Sequence, residues 1–185
     1  MCGIAGKVFA DRQRPVSEDL VRRMCAAMVY RGPDDEGVHF EPPAGIGMRR
    51  LKIIDLEGGH QPMANEDGSL WIVFNGEIYN YLELREELKR KDFEFRTLSD
   101  TEVLLQMYAA PGEGCVGLLN GMFSFAVWDA SRKRLFAARD RLGIKPFYFY
   151  EGEGIFLFAS EIKSLLLHPA VVADLDHDAL QDYLN

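Results

Sequence analysis

The second residue of the chain is a cysteine, within the opening segment Met1-Cys-Gly-Ile-Ala-Gly6. Removal of the initiator methionine would leave Cys2 with both a thiol and a free α-amine, and the small Gly3 would not obstruct that removal. A cysteine nucleophile needs a base beside it, and an α-amine with an ordinary pKa of about 7.7–8.0 is substantially neutral near physiological pH. Cys2 is therefore a candidate nucleophile that carries its own base. The alternative is a buried cysteine on a first strand.

A second group of chemistry-bearing residues follows an apolar run that ends at Phe74. Asn75, Gly76 and Glu77 place an amide side chain, a flexible backbone N–H and a carboxylate at one spot. An amide and a backbone N–H are suitable donors for an oxyanion hole. The alternative is a hairpin turn, because Asn-Gly is the strongest two-residue turn signal. On local grounds the turn is favoured.

Arg50 and Asp100 are candidate charged ligands. Arg49 and Arg50 lie in an alternating strand pattern, so one of them must face the apolar side, where an arginine normally needs a carboxylate. An exposed edge strand would explain both arginines without a site. Asp100 belongs to Ser99-Asp-Thr-Glu102, which matches a helix capping box, and a cap and a ligand for an ammonium group have the same sequence signature.

Length and composition limit the class of protein. The 185 residues, 48% of them hydrophobic, predict a single domain with one sizeable core. The net charge of −8 argues against nucleic acid or an anionic membrane as the main partner and favours a small polar substrate. The longest uncharged stretch, residues 114–128, is shorter than the roughly 20 apolar residues of a membrane span. With no signal-peptide pattern, we expect a cytoplasmic location.

The cysteines indicate neither a disulfide framework nor a metal site. Cys2, Cys25 and Cys115 are odd in number, far apart in sequence and without a CxxC pair. No metal ligand set is predicted.

Hydrophobic periodicity predicts strands and helices mixed along the whole chain. The predicted strands cover residues 3–9, 46–54, 70–74, 123–127, 135–138, 147–150 and 155–159. Helices are predicted after the N-cap Ser17, over residues 81–91 with i,i+4 ion pairs, after Ser99, in a short segment from Ser160, and over residues 177–185. Antiparallel hairpins with helices outside indicate an α+β fold of stacked sheets between helical layers.

Together these pieces resemble one family, the class II glutamine amidotransferases, and most closely the glutaminase domain of glutamine-hydrolysing asparagine synthetases. The matching segments span the chain in family order: Met1-Cys-Gly-Ile-Ala-Gly6, Tyr30-Arg-Gly-Pro-Asp34, Arg50-Leu-Lys-Ile-Ile-Asp55, Phe74-Asn-Gly-Glu-Ile-Tyr-Asn80, Ser99-Asp-Thr-Glu102, Gly121-Met-Phe-Ser-Phe-Ala-Val-Trp-Asp129, Arg139-Asp-Arg-Leu-Gly-Ile-Lys-Pro146 and Ala159-Ser-Glu-Ile-Lys163. The resemblance implies a four-layer αββα sandwich of the N-terminal nucleophile hydrolase type over residues 1–185.

The resemblance also implies a role for each candidate residue. Cys2 would be the nucleophile with its own α-amine as base, and Asn75 with the N–H of Gly76 would hold the oxyanion. Arg50 would bind the substrate α-carboxylate, and Asp100 its α-ammonium, with Glu77 lining the same pocket. No metal or cofactor is implied for this domain. The four histidines, His39, His60, His168 and His177, gain no role.

The implied reaction is hydrolysis of glutamine to glutamate and ammonia through a Cys2 thioester. In the family, ammonia passes to an ATP-dependent synthetase domain in the same polypeptide, which uses ATP and Mg, most often to convert aspartate to asparagine. Nothing in residues 1–185 resembles that domain's Ser-Gly-Gly-Leu-Asp-Ser loop. Open alternatives are an amidotransferase with another acceptor, a non-catalytic regulatory module and a thiol redox protein. A homodimer also stays open.

Overall fold

The fold, seen in a computed structural model that describes residues 1–184, consists of two antiparallel sheets and flanking helices. The first sheet has the strand order β2-β3-β1-β9-β8 and the second the order β4-β5-β6-β7. The strands are β1 Gly3–Phe9, β2 Asp35–Glu41, β3 Ala44–Arg50, β4 Met63–Ala64, β5 Leu70–Ile78, β6 Gly121–Asp129, β7 Arg134–Arg139, β8 Tyr148–Gly152 and β9 Ile155–Ala159. The helices are α1 Glu18–Ala26, α2 Tyr81–Lys89, α3 Asp100–Ala109, α4 Ile162–Leu165 and α5 His177–Leu184, with a 3₁₀ helix at Gly112–Leu118.

Three buried clusters show that the elements form four layers. One lies between the sheets and contains Ile4, Val73 and Trp128. A second fills the space between the first sheet and α1, and a third the space between the second sheet and helices α2 and α3. Each sheet thus buries both faces, and the layer order is helix, sheet, sheet, helix. This arrangement confirms the predicted α+β sandwich.

The helix starts follow the capping residues of the sequence. The Ser17 hydroxyl accepts a hydrogen bond from Leu20 N at the start of α1, and Ser99 accepts from Thr101 N at the start of α3. The capping box at Ser99 is only half formed, because the Glu102 carboxylate accepts from the N–H groups of Arg96 and Thr97 instead of Ser99. Ser99, not Asp100, is therefore the N-cap of α3.

Strand β2 was not predicted, and β3 ends earlier than predicted. The sequence of β2 carries charges on both faces and its residues are mostly half-buried, so the alternation that marks a strand is absent. Strand β3 stops at Arg50 because the chain then folds back toward the Arg50 guanidinium, which binds the carbonyls of Ile54, Asp55 and Leu56. The prediction of a strand to residue 54 was wrong for that reason.

Smaller differences occur at helix ends. Helix α2 ends at Lys89, and its ion pair joins Glu86 to Lys89 at i,i+3 instead of the expected i,i+4 pairs. Helix α4 begins at Ile162, two residues after Ser160, and α5 follows the predicted segment except for its last residue, Asn185, which lies outside the described residues. None of the helices within residues 1–184 has the length and apolarity to cross a membrane.

Candidate active site

Three strands carry the candidate residues to the same end of the space between the sheets. Side chains alternate across a strand, so residues two apart face the same way. Ile4, Met48 and Val73 pack between the sheets. Cys2, Arg50 and Asn75 each lie two residues from one of these core residues, and therefore on the same face.

All six candidate residues line one small cleft. Its walls include Cys2, Arg50, Asn75, Gly76, Glu77 and Asp100. The fold therefore brings together every residue that the sequence singled out, from positions that are distant in the chain.

Asn75 and Gly76 belong to a strand and not to a turn. Strand β5 continues to Ile78, and Asn75 lies opposite Ser124 of β6. The locally favoured hairpin interpretation is wrong because nine consecutive residues of β6 pair with β5 and extend it past the Asn-Gly pair. Asn75 is 1% exposed, and its Nδ2 has no acceptor among residues 1–184. Buried amide donors are normally satisfied, so this one is available to a ligand.

Gly76 is a glycine for steric reasons. A Cβ at this position would lie 2.2 Å from the carbonyl oxygen of Met122 and 2.7 Å from Cα of Phe123 on the adjacent strand. The close approach of β6 thus excludes every side chain at residue 76.

The thiol of Cys2 is held against the end of β3. The N–H of Leu51 donates to Sγ at 3.4 Å, and Sγ lies 3.7 Å from the carbonyl oxygen of the same residue. Burial raises the pKa of the Cys2 thiol, although the Leu51 N–H and the N-terminal charge act in the opposite direction. A thiol with a raised pKa needs a base to become a nucleophile.

Two further segments fix the backbone at Cys2. Arg31 Nε donates to the carbonyl oxygen of Cys2 at 2.9 Å, and Arg31 also pairs with Glu161 at 3.5 Å. The hydroxyl of Ser160 accepts from Ile4 N at 3.0 Å. The segments around residues 31 and 160 therefore position the nucleophile without lining the cleft.

Arg50 is a buried cation without a carboxylate partner among the described residues. Its Nη2 donates to the carbonyl oxygens of Ile54 and Asp55 at 2.9 and 2.7 Å, and Nη1 donates to Leu56 O at 3.4 Å. The expectation that a buried arginine here needs a carboxylate was wrong, because backbone carbonyls satisfy it. A guanidinium has five N–H donors, so two remain for a ligand, and its charge is not neutralised.

Asp100 and Glu77 form a pair of carboxylates with no cation beside them in the described part of the chain. Asp100 is 5% exposed, and its Oδ2 accepts from Ile78 N at 3.2 Å. Burial raises its pKa to about 6, and the nearby charge of Glu77 acts in the same direction. Two adjacent carboxylates, one of them buried, favour a positively charged ligand.

Two cleft residues were missed by the sequence argument. Gln61 is buried and binds both Phe74 N and the hydroxyl of Thr101. Lys145 is 6% exposed and lies in a loop whose backbone N–H groups donate to Asp140. Lys145 belongs to a matching family segment without an assigned role, and Gln61 lies in a turn-rich stretch that gave no chemical signal.

Comparison with known proteins places this chain in a family. A family model described as glutamine amidotransferase domain matches residues 1–185. The chain belongs to this family. The match confirms the family resemblance inferred from the sequence.

The chain is also similar to proteins named glutamine-hydrolysing asparagine synthetase. It is 46% identical over 184 residues to enzyme 3 of Bacillus subtilis and 45% identical over 188 residues to enzyme 1, covering 98% and 100% of this chain and 30% and 29% of those proteins. Identity to enzyme 3 of Arabidopsis thaliana is 39% over 166 residues, which is 89% of this chain and 28% of that protein. The chain thus spans less than a third of the length of each.

Solved structures share the fold at low sequence identity. The glutamine phosphoribosylpyrophosphate amidotransferase of B. subtilis, in complex with ADP and GMP, superimposes with a TM-score of 0.74 at 18% identity, over 90% of this chain and 43% of that chain. A structure titled as the allosteric regulatory enzyme of purine biosynthesis gives 0.72 at 19% identity, with the same coverage. These matches confirm the predicted sandwich fold.

Proposed function

We propose that this domain, once Met1 has been removed, hydrolyses the side-chain amide of glutamine to glutamate and ammonia through a thioester on Cys2. One observation carries the proposal: a thiol, an unpartnered amide donor, an unneutralised guanidinium and an unpaired carboxylate pair line the same cleft. These groups match the reacting amide, the α-carboxylate and the α-ammonium of one amino acid.

The reaction begins with attack of Cys2 Sγ on the amide carbon of glutamine. A C–S bond forms while the thiol proton passes to the α-amine of the same residue. The tetrahedral intermediate then breaks its C–N bond, and the amine returns the proton to the leaving ammonia. Water then attacks the resulting thioester and gives a proton to the α-amine. A C–O bond replaces the C–S bond, the amine returns the proton to Cys2 Sγ, and glutamate leaves.

Removal of Met1 is required because it creates the base. While Met1 is attached, the nitrogen of Cys2 is a peptide amide and cannot accept a proton. Burial raises the pKa of the thiol, so the unassisted thiolate is scarce at neutral pH. The free amine supplies the missing base at the nucleophile itself.

Asn75 and Gly76 would stabilise the charge that develops on the amide oxygen. Asn75 Nδ2 has no acceptor in the described residues, and the neighbouring Gly76 lines the same cleft. Donors that are already fixed need no reorganisation when the oxyanion forms, which is why such sites lower the barrier effectively.

The charged residues would select an amino acid over a simple amide. The two free N–H groups of Arg50 suit a carboxylate, for which a guanidinium is better shaped than an ammonium. Asp100 and Glu77 would take the α-ammonium. A buried carboxylate left without its cation costs roughly 3–5 kcal/mol, so an amide that lacks the ammonium binds poorly.

In the whole protein, we propose that the ammonia is passed to an ATP-dependent synthetase domain that uses ATP and Mg and converts aspartate to asparagine. The names of the relatives and the short span of this chain within them support this assignment. One alternative is an amidotransferase with another ammonia acceptor. The other alternative is a non-catalytic module with the same fold, and an assay of ammonia release distinguishes it from a glutaminase.

Ammonia release from glutamine tests the glutaminase activity directly. The chain without Met1 should release ammonia and glutamate in equal amounts, whereas the Cys2→Ala variant and a chain that retains Met1 should release none. Intact-mass measurement identifies the N-terminus of each sample. Full activity in the Met1-retaining chain would refute the amine as base, and inactivity of the processed wild-type chain would favour the non-catalytic module.

A further inference from the structure

One edge of β5 is covered by side chains and not by a strand. β6 pairs with β5 along its whole length, but β4 covers the opposite edge only at Trp71 and Ile72. Beyond that point, the backbone N–H groups of this edge must find other acceptors or a ligand.

The direction of each N–H follows from the alternation of an antiparallel strand. Tyr79 N donates to Asn120 O on the β6 side at 2.7 Å, so the N–H groups of Phe74, Gly76 and Ile78 point away from β6. Phe74 N donates to Gln61 Oε1 at 2.7 Å, and Ile78 N donates to Asp100 Oδ2 at 3.2 Å. Only the N–H of Gly76, between them, has no side-chain or loop acceptor within residues 1–184.

Gln61 links this edge to the helix that carries Asp100. Gln61 is 4% exposed, and its Nε2 donates to the Thr101 hydroxyl at 3.0 Å while its Oε1 holds Phe74. Its two partners are the residue before Asn75 and the residue after Asp100. One side chain therefore sets the distance between the amide-binding strand and the ammonium-binding helix.

We propose that Gln61 is a positioning residue that aligns the Asn75 and Gly76 donors with the Asp100 clamp, an inference that rests on the proposed glutaminase function. Gln61 satisfies the N–H of Phe74 and leaves the N–H of Gly76 free for the oxyanion. Without it, Phe74 N loses its acceptor and the strand is free to shift relative to α3. A misplacement of about 1 Å costs up to roughly 100-fold in rate, so the effect falls mainly on kcat.

The test compares variants of two amide side chains that each accept a hydrogen bond from a backbone N–H of β5. Gln61→Met keeps the size of the side chain but cannot accept from Phe74 N. Asn65→Leu is the matched control, because Asn65 Oδ1 accepts from Leu70 N at 2.9 Å at the opposite end of the same strand, away from the cleft. We expect about a 10- to 100-fold lower kcat for Gln61→Met and wild-type kcat and KM for Asn65→Leu, measured on the full processed chain.

A conservative variant separates positioning from general loss of structure. Gln61→Glu can still accept from Phe74 N and from the Thr101 hydroxyl, so it should recover most of kcat. If Gln61→Met does not fold, as judged by circular dichroism, Thr101→Val cuts only the link to α3 and should likewise lower kcat several-fold. Wild-type kcat in a folded Gln61→Met, or in Thr101→Val, would overturn the inference. A wild-type chain without activity would instead overturn the proposed function, and this inference with it.

Discussion

At the scale of single residues, the unpartnered amide of Asn75 is the clearest sign of chemistry. A buried N–H without an acceptor is normally costly, and Asn75 is 1% exposed with its Nδ2 unsatisfied. Within the described residues, the same cleft contains the Arg50 guanidinium without an ion-pair partner and the Asp100 and Glu77 carboxylates without a cation beside them. Buried groups of this kind normally have partners, and one amino-acid substrate would satisfy all of them.

Asn75→Ala should lower kcat for glutamine by about 10²–10³, while KM changes little, because the donor acts on charge that develops only in the transition state. Steady-state ammonia release measures both constants. A sharp rise in KM at unchanged kcat would make Asn75 a ground-state binding residue instead.

Asp100→Asn should separate stability from function. Burial raises the Asp100 pKa to about 6 from an ordinary 3.8, so the protonated form favours the folded state. This contribution to the free energy of unfolding is fully present below pH 3.8 and is lost as pH rises through about 6. It amounts to at most roughly 3 kcal/mol. The neutral variant should unfold at a higher temperature than wild type at pH 7, with little difference at pH 4. Its kcat/KM for glutamine should nevertheless fall strongly, because the ammonium loses its counter-charge.

Asp140→Asn is the control, because the pKa of Asp140 is shifted in the opposite direction to the pKa of Asp100. Burial acts to raise its pKa, but the N–H groups of Lys145, Ile144 and Phe123 outweigh it and hold the Asp140 pKa below the ordinary value. Removing that carboxylate should lower stability at pH 7, and the loss should shrink in acid.

For Asp100 itself, the kinetics decide. An Asp100→Asn protein with wild-type kcat/KM would refute the ammonium clamp.

At the scale of elements, the site depends on the close contact of β5 and β6. The Asn-Gly pair has the sequence of a turn, yet pairing from Leu70 with Asp129 to Ile78 with Gly121 holds it in a straight strand. Gly76 has no room for a Cβ, so its backbone and that of β6 lie closer than other residues would permit.

Gly76→Ala should therefore destabilise the fold by about 1–3 kcal/mol, since the β6 backbone must move. Gly117→Ala is the control, because within residues 1–184 a Cβ at residue 117 would meet no atom of another element within 4 Å. Urea unfolding of both variants measures the difference. Equal stability of the two would contradict the packing argument.

At the scale of the whole molecule, the strands with strict alternation and the capped helices could be predicted from the sequence. β9 and the start of α1 follow the expected residues because local pattern and burial agree there. Three features could not be predicted from the sequence, because each depends on a partner far away in sequence. They are strand β2, the loop that wraps Arg50 and the extension of β5 past Asn75. The candidate site residues were singled out from their local sequence patterns and were given roles by the resemblance, whereas Gln61 was not, since its role exists only when β5 and α3 are brought together.

The proposed reaction depends on a thioester between Cys2 and the glutamyl group of glutamine. Acid quenching of the processed chain during turnover, followed by peptide mass spectrometry, detects this intermediate. We expect one glutamyl group on the peptide that begins with Cys2, and none in the Cys2→Ala variant. Ammonia release that continues in Cys2→Ala, or a glutamyl group on another residue, would refute the thioester.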